Sequence, residues 1–188
     1  MALRYAMFMA LLCVAPWAMA DTYELDGSHT YAYFRIKHFD KGFFTGVFKE
    51  VKGSFRADGK DEAKPEIKLT IDVDSLDSFH PKRNDHLLGP DFFNAKRFKQ
   101  ITFTSSEVKK VNEQEYQVTG ELSMHGVTKT VKGKVVRGTT GKDPWGGHRT
   151  GGNVYLTIDR TDFGIKHSPE PAIGHKVDID LYFEALRK

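Results

Sequence analysis

Cysteine is nearly absent from this 188-residue sequence: the single one, Cys13, sits in an apolar N-terminal stretch. Disulfides, thiolate metal sites and cysteine nucleophiles are therefore excluded for everything downstream. An excess of one charge is also lacking, with 28 Lys+Arg against 25 Asp+Glu. A near-neutral chain without a binding motif does not suit nucleic acid. No apolar run reaches the ~20 residues that a membrane-spanning helix needs. The longest, Ala6 to Ala20, follows Arg4 and is broken by Pro16. Ala18-Met19-Ala20 supplies the small residues of a signal-peptidase site, so residues 1–20 read as a cleaved secretory signal. Asp21 then becomes the mature N-terminus. A lipid anchor on Cys13 does not fit, because bulky Leu12 precedes it inside the apolar region. Without Arg4 the mature chain carries 27 Lys+Arg against 25 Asp+Glu, a net +2. Residues 21–188 are expected to form one soluble domain in the periplasm, as a monomer or homodimer.

Catalytic signatures are missing too. There is no Gly-x-Ser-x-Gly elbow, no Walker loop and no dinucleotide fingerprint. Asp162-Phe163-Gly164 imitates the kinase magnesium motif, but no glycine-rich phosphate loop or His-Arg-Asp loop accompanies it. The eight histidines (29, 38, 80, 86, 125, 148, 167 and 175) show no His-Glu-x-x-His or other metal spacing, so neither a metal nor any other cofactor is expected. Helical periodicity is scarce as well.

What is present in abundance is alternation. Ile67, Leu69, Ile71 and Val73 alternate with polar residues, as do Tyr116, Val118, Gly120, Leu122 and Met124. Val177, Ile179, Leu181, Phe183 and Ala185 repeat the pattern. A strand sends successive side chains to opposite faces, so each run has one apolar and one solvated face. Weaker versions at Thr30–His38, Val47–Ala57, Ile101–Lys109, Thr128–Arg137 and Asn153–Arg160 bring the number to eight. Turn residues separate them at Asp58-Gly59-Lys60, Gly141–Gly147 and Ser168-Pro169-Glu170-Pro171. Eight antiparallel strands either stack as a sandwich or close into a barrel, and alternation does not separate the two.

One helical stretch interrupts the pattern, from about Lys82 to Phe98, between the third and fourth strands. Gly89-Pro90 is expected to split it into two short turns of helix. Residues 80–100 hold Lys82, Arg83, Lys96, Arg97 and Lys99 against Asp85 and Asp91. Beside Phe92, Phe93 and Phe98, this basic patch suits an anionic head group or a transient contact with an anionic membrane surface. It suits a plug at a barrel end equally well.

Several segments, in order along the chain, resemble the YceI-like family. They are Phe34-Arg35-Ile36-Lys37-His38, Gly46-Val47-Phe48, Gly53-Ser54-Phe55, Ile71-Asp72-Val73-Asp74-Ser75, Arg83-Asn84-Asp85-His86-Leu87 and Asp91-Phe92-Phe93. Further on come Ile101-Thr102-Phe103-Thr104-Ser105, Val118-Thr119-Gly120-Glu121-Leu122, Gly126-Val127-Thr128-Lys129 and Asp143-Pro144-Trp145-Gly146-Gly147. The resemblance spans essentially the whole mature chain. It departs at Lys99-Gln100, where many relatives carry a proline, and in the loop Lys166–His175, which has two extra histidines.

The resemblance implies an all-β fold: an eight-stranded antiparallel lipocalin-like barrel with the short helical insert between strands 3 and 4. It also implies a non-catalytic role, binding, sequestering or transporting an isoprenoid or quinone-like lipid. Each buried CH₂ contributes ~0.8 kcal/mol, so several isoprene units give well over ~10 kcal/mol before ordering costs. On this reading Phe34, Ile36, Ile71, Val73, Phe103, Leu122, Leu156, Ile158, Ile179, Leu181 and Phe183 line the cavity. Arg83, His86 and Arg160 are the head-group candidates, the last because it ends a strand. Two rivals stand beside it: a histidine-dependent metal or haem enzyme, and a structural or stress protein with a filled core.

Overall fold

A computed structural model describes residues 21–57 and 66–188. The expected signal (residues 1–20) and the turn at Asp58-Gly59-Lys60 lie outside the described residues.

The alternating runs become strands, and further strands that the alternation did not mark accompany them. They are β1 (Asp21–Leu25), β2 (Tyr31–His38), β3 (Gly42–Phe48), β4 (Val51–Ala57), β5 (Ile67–Asp72) and β6 (Leu76–Asp77). After the helix α1 (Pro81–Leu88) follow β7 (Gln100–Lys110), β8 (Glu115–Met124), β9 (Val127–Arg137), β10 (Gly141–Lys142), β11 (His148–Asp159) and β12 (Ile173–Arg187). β1 and β2 form one stave interrupted by a 3-10 turn at Gly27–His29. Both pair with β12, and they pair in turn with β4 and β3, which form the second stave. From there β5, β7, β8, β9, β11 and β12 follow in order, and pairing between β11 and β12 closes the ring. The result is an eight-stave antiparallel barrel. Closure decides against the sandwich, and it pairs the edges that an open sheet would expose.

Three boundaries differ from the alternation. The run at Val47–Ala57 is interrupted at Lys49-Glu50, and it begins earlier, at Gly42. β5 ends at Asp72, whose carboxylate accepts from the Asp74 N–H at 2.9 Å and caps a 3-10 turn, Val73–Ser75. Helix covers only Pro81–Leu88, with His80 accepting from the Arg83 N–H as N-cap. Residues beyond Gly89-Pro90 fold as turns, because the proline breaks the ladder and Leu87, Leu88 and Gly89 carbonyls accept from Phe93, Ala95 and Asn94 instead.

The barrel has two unlike ends. At one lie the β2–β3 turn, residues 73–99, the His125-Gly126 hairpin turn and the loop from Arg160 to Ala172. His125 (φ 53°) and Gly126 (φ 78°) both adopt the left-handed backbone that a two-residue hairpin of this twist needs. The other end carries Asp21, the β7–β8, β9–β10 and β10–β11 connections, and the C-terminus. At the insert end Val73, Leu76, Leu87, Phe92, Ala95, Phe163 and Ile165 are buried together. No helix among the described residues is long and apolar enough to cross a membrane.

Candidate functional site

Inside the staves the inward side chains leave space unfilled. A cavity of about 170 Å³ extends from the insert end, where Leu87, Phe92, Phe93 and Ile165 contribute to its lining, to mid-barrel. A second, of about 150 Å³, continues toward the opposite end and reaches Leu25, Phe55, Val108 and Phe183. The two share Ile67, Leu69, Val118, Val135, Val154 and Leu181. The two chambers adjoin through these shared residues and together make up the barrel's tunnel, apolar in the first chamber and bordered by polar side chains in the second. Cavities of this size lined by hydrocarbon stay dry and take apolar guests.

The lining follows strand parity. On β12, Val177, Ile179, Leu181 and Phe183 point in while Asp178, Asp180 and Tyr182 do not. On β11 the inward set is Val154, Leu156 and Ile158, and on β2 it is Ala32, Phe34 and Ile36, with Tyr33 also contributing. A bulge between Ser105 and Glu107 shifts the phase of β7, so Ile101 and Phe103 line the first chamber and Val108 and Lys110 the second. Two glycines make room for the rings. A β-carbon at Gly46 would fall 2.3 Å from the Phe34 ring, and one at Gly120 2.5 Å from the Phe103 ring.

Of the expected lining residues, Phe34, Ile36, Ile71, Phe103, Leu122, Leu156, Ile158, Ile179 and Leu181 face the first chamber. Phe183 faces the second. Val73 is a correction. It has left the strand for the 3-10 turn and is 1% exposed, packed in the core at the insert end rather than along the tunnel.

The head-group candidates are also redistributed. Arg160 does reach the first chamber, but it is 4% exposed and its guanidinium is fully engaged. Its five N–H groups donate to the carbonyls of Gly174 (2.9 Å), Ile165 (2.8 Å), His167 (2.8 Å), Ser168 (2.7 Å) and Ile173 (3.1 Å). An arginine has five such donors, so none is left for a ligand. Burial lowers its pKa, with Asp159 and Glu170 acting the other way. It organises the loop instead of greeting a head group. Arg83 donates to the Ser78 hydroxyl (3.0 Å) and carbonyl (2.5 Å), with its guanidinium 5.3 Å from the Phe44 ring centre. His86 is exposed and lies 3.1 Å from Asp91. These three residues do not converge on one anion site.

A different set of cations does border the tunnel. Arg56, Lys110 and Arg137 line the second chamber with Tyr116 and Thr150. Arg137 lies 5.7 Å from the Tyr116 ring centre, and Lys110 pairs with Glu113 at 3.2 Å. Each is at or near a strand end, where alternation weakens, and Lys110 faces inward only because of the bulge. The sequence signal that could have found them is three strand-terminal cations from separate strands.

Comparison with known proteins places this barrel. The model of the YceI-like domain matches residues 23–185. A UPF0312 protein of Photorhabdus laumondii is 38% identical, over 95% of this chain and 93% of its own length. A UPF0312 protein of Pseudomonas putida strain GB-1 is 39% identical over 94% and 92%. Among solved structures, BcnA of Burkholderia cenocepacia has a TM-score of 0.75 at 26% identity, covering 85% of this chain and 98% of that one. A polyisoprenoid binding domain from Saccharophagus degradans shares the fold at a TM-score of 0.68 and 19% identity, over 88% and 98%. The chain belongs to the YceI-like family.

Proposed function

We infer that the protein binds a long apolar lipid of the isoprenoid or quinone-like type, without catalysis, and sequesters or carries it in the periplasm. The observation that carries this reading is the pair of adjoining chambers inside the barrel, the first lined almost wholly by hydrocarbon. A filled core, the expectation for a purely structural protein, does not match those chambers. The YceI-like fold and family agree with a binding role.

The orientation follows from the ends. The first chamber is lined almost wholly by hydrocarbon, and the cation that reaches it among the described residues, Arg160, is fully bonded. The second chamber meets Arg56, Lys110 and Arg137. The tail therefore occupies the first chamber and an anionic or strongly polar head group lies at the second. An exposed ion pair adds only ~0–1 kcal/mol, so burial of the tail sets affinity and the cations set direction.

Two measurements test this. Mass spectrometry of an organic extract from protein freshly purified from its own cell should find an isoprenoid-type lipid at near-stoichiometric amount. An empty extract combined with no uptake from lipid vesicles would sink the reading. N-terminal sequencing of protein from the periplasmic fraction should begin at Asp21, and retention of Met1 in the cytoplasm would overturn the location.

A further inference from the structure

Folding brings together two histidines and an aspartate that the sequence keeps far apart. His86 sits in the last turn of α1, Asp91 in the turns after it, and His167 in the loop joining β11 to β12. His86 Nε2 lies 3.1 Å from Asp91 Oδ2, and His167 Nδ1 lies 3.7 Å from Asp91 Oδ1. All three ligand-capable atoms fall within 4.8 Å of one another, and all three residues are exposed. Ligand bonds of ~2.0–2.2 Å around a tetrahedral ion place donor atoms ~3.3 Å apart. The two histidine–aspartate distances, 3.1 and 3.7 Å, lie on either side of that spacing.

We propose that His86, Asp91 and His167 form a binding site for a divalent transition-metal ion of the zinc class. Two imidazoles and one carboxylate suit zinc, nickel or copper, whereas magnesium and calcium prefer oxygen ligands throughout. Three protein ligands leave at least one coordination position open to solvent or an incoming oxygen ligand.

The surroundings hold the donors in place. The buried Phe92 ring packs edge-on against both imidazoles, 5.0 Å from His86 and 5.1 Å from His167. The His167 carbonyl accepts from Arg160 at 2.8 Å, which fixes that loop to the barrel. Backbone bonds from Phe92 and Asn94 to the Gly89 carbonyl (3.2 and 2.9 Å) set the turn that carries Asp91. An ion here joins the insert to the β11–β12 loop across the end of the barrel.

A second cluster, Asp26, His29 and Glu184, meets the same distance criterion. It already has its cation. Arg149 Nη1 lies 2.6 Å from Asp26 and 2.8 Å from Glu184, leaving a metal to compete with a fixed guanidinium. This cluster serves as the internal control.

The test is titration of the untagged protein, in the form the cell produces, with zinc chloride against a chromophoric zinc chelator. One ion should bind per chain. His167→Ala and Asp91→Asn should each weaken binding about tenfold or more, while His29→Ala leaves it unchanged. Ring signals of His86 and His167 should move together in a proton NMR titration with zinc. Because all three residues are exposed, the variants should melt within a few degrees of the parent without metal. Zinc should raise the melting temperature of the parent and not that of His167→Ala. Absence of binding, binding indifferent to His167→Ala and Asp91→Asn, or loss confined to His29→Ala each overturns the site.

Discussion

At the scale of single residues, Arg160 illustrates how a buried charge can be wholly structural. Five carbonyls from residues 165–174 converge on one guanidinium. Taking the arginine away leaves several buried or half-buried acceptors without a donor, at ~1–3 kcal/mol each where water cannot replace it. Arg160→Met is thus expected to destabilise the domain by about 3 kcal/mol or more in urea denaturation. Arg160→Lys should recover little, because an ammonium has three donors and no planar fork. A variant with unchanged stability and impaired lipid binding would instead restore the ligand role. Asp26 gives a second residue-scale prediction. Hydrogen bonds from Ser28 and then Arg149 hold its carboxyl well below the usual carboxylate range. A depressed native pKa contributes stability above the unfolded-state value, ~3.9, and that contribution is lost as pH falls through the native value. Stability should therefore fall on acidification below about pH 4, and Asp26→Asn should flatten that part of the profile. An identical acid limb in the two proteins would rule Asp26 out as a contributor.

At the scale of elements, β12 carries the sharpest test of the cavity. Leu181 points into the tunnel and is 5% exposed, whereas Tyr182 is 40% exposed and packs edge-on against Tyr33 at 5.8 Å. Leu181→Asp puts an unpaired charge among hydrocarbon and should cost about 3 kcal/mol or more together with the bound lipid. Tyr182→Asp loses one aromatic pair and should cost about 1 kcal/mol. Equal effects, read by thermal melting and lipid extraction, would mean that the strand's inward face is the other one. The same parity explains what was legible in the sequence. Period-two alternation located the eight staves and most of the lining, because residues on the inward face of a strand recur at every second position. It misassigned Val73, since a strand ending in an Asx-capped turn keeps its apolar residue but changes its direction. It missed Val108 and Lys110, since a bulge reverses parity without altering composition. Arg160 misled for another reason: its five acceptors are backbone carbonyls, which have no sequence signature. His86, Asp91 and His167 were illegible as a group because their proximity is created by loop placement, not by spacing.

At the scale of the whole molecule, the two barrel ends offer different surfaces to a lipid. The insert end exposes Phe39, Phe43 and Phe79 beside Lys41 and Lys82. The opposite end presents Arg56, Lys110 and Arg137 around the second chamber. The basic composition of residues 80–100 suits an anionic head group at the insert as well as a plug, but Arg83 is bonded to Ser78, and Arg97 lies over the Phe98 ring at 5.0 Å. If the head group lies at the opposite end, Arg56→Glu/Arg137→Glu should weaken binding of a phosphorylated isoprenoid by about tenfold, the sum of two modest ion contacts. The loss should shrink at high salt, because exposed charges are screened within ~10 Å at 0.1 M. A neutral isoprenoid alcohol of the same length should bind both proteins alike, since the tunnel itself is untouched. Lys96→Glu/Arg97→Glu should leave both affinities as they were. Fluorescence competition with the two lipids, at low and high salt, separates these outcomes. Loss of the phosphorylated ligand in the insert variant alone would return the head group to the insert and reverse the lipid in its tunnel.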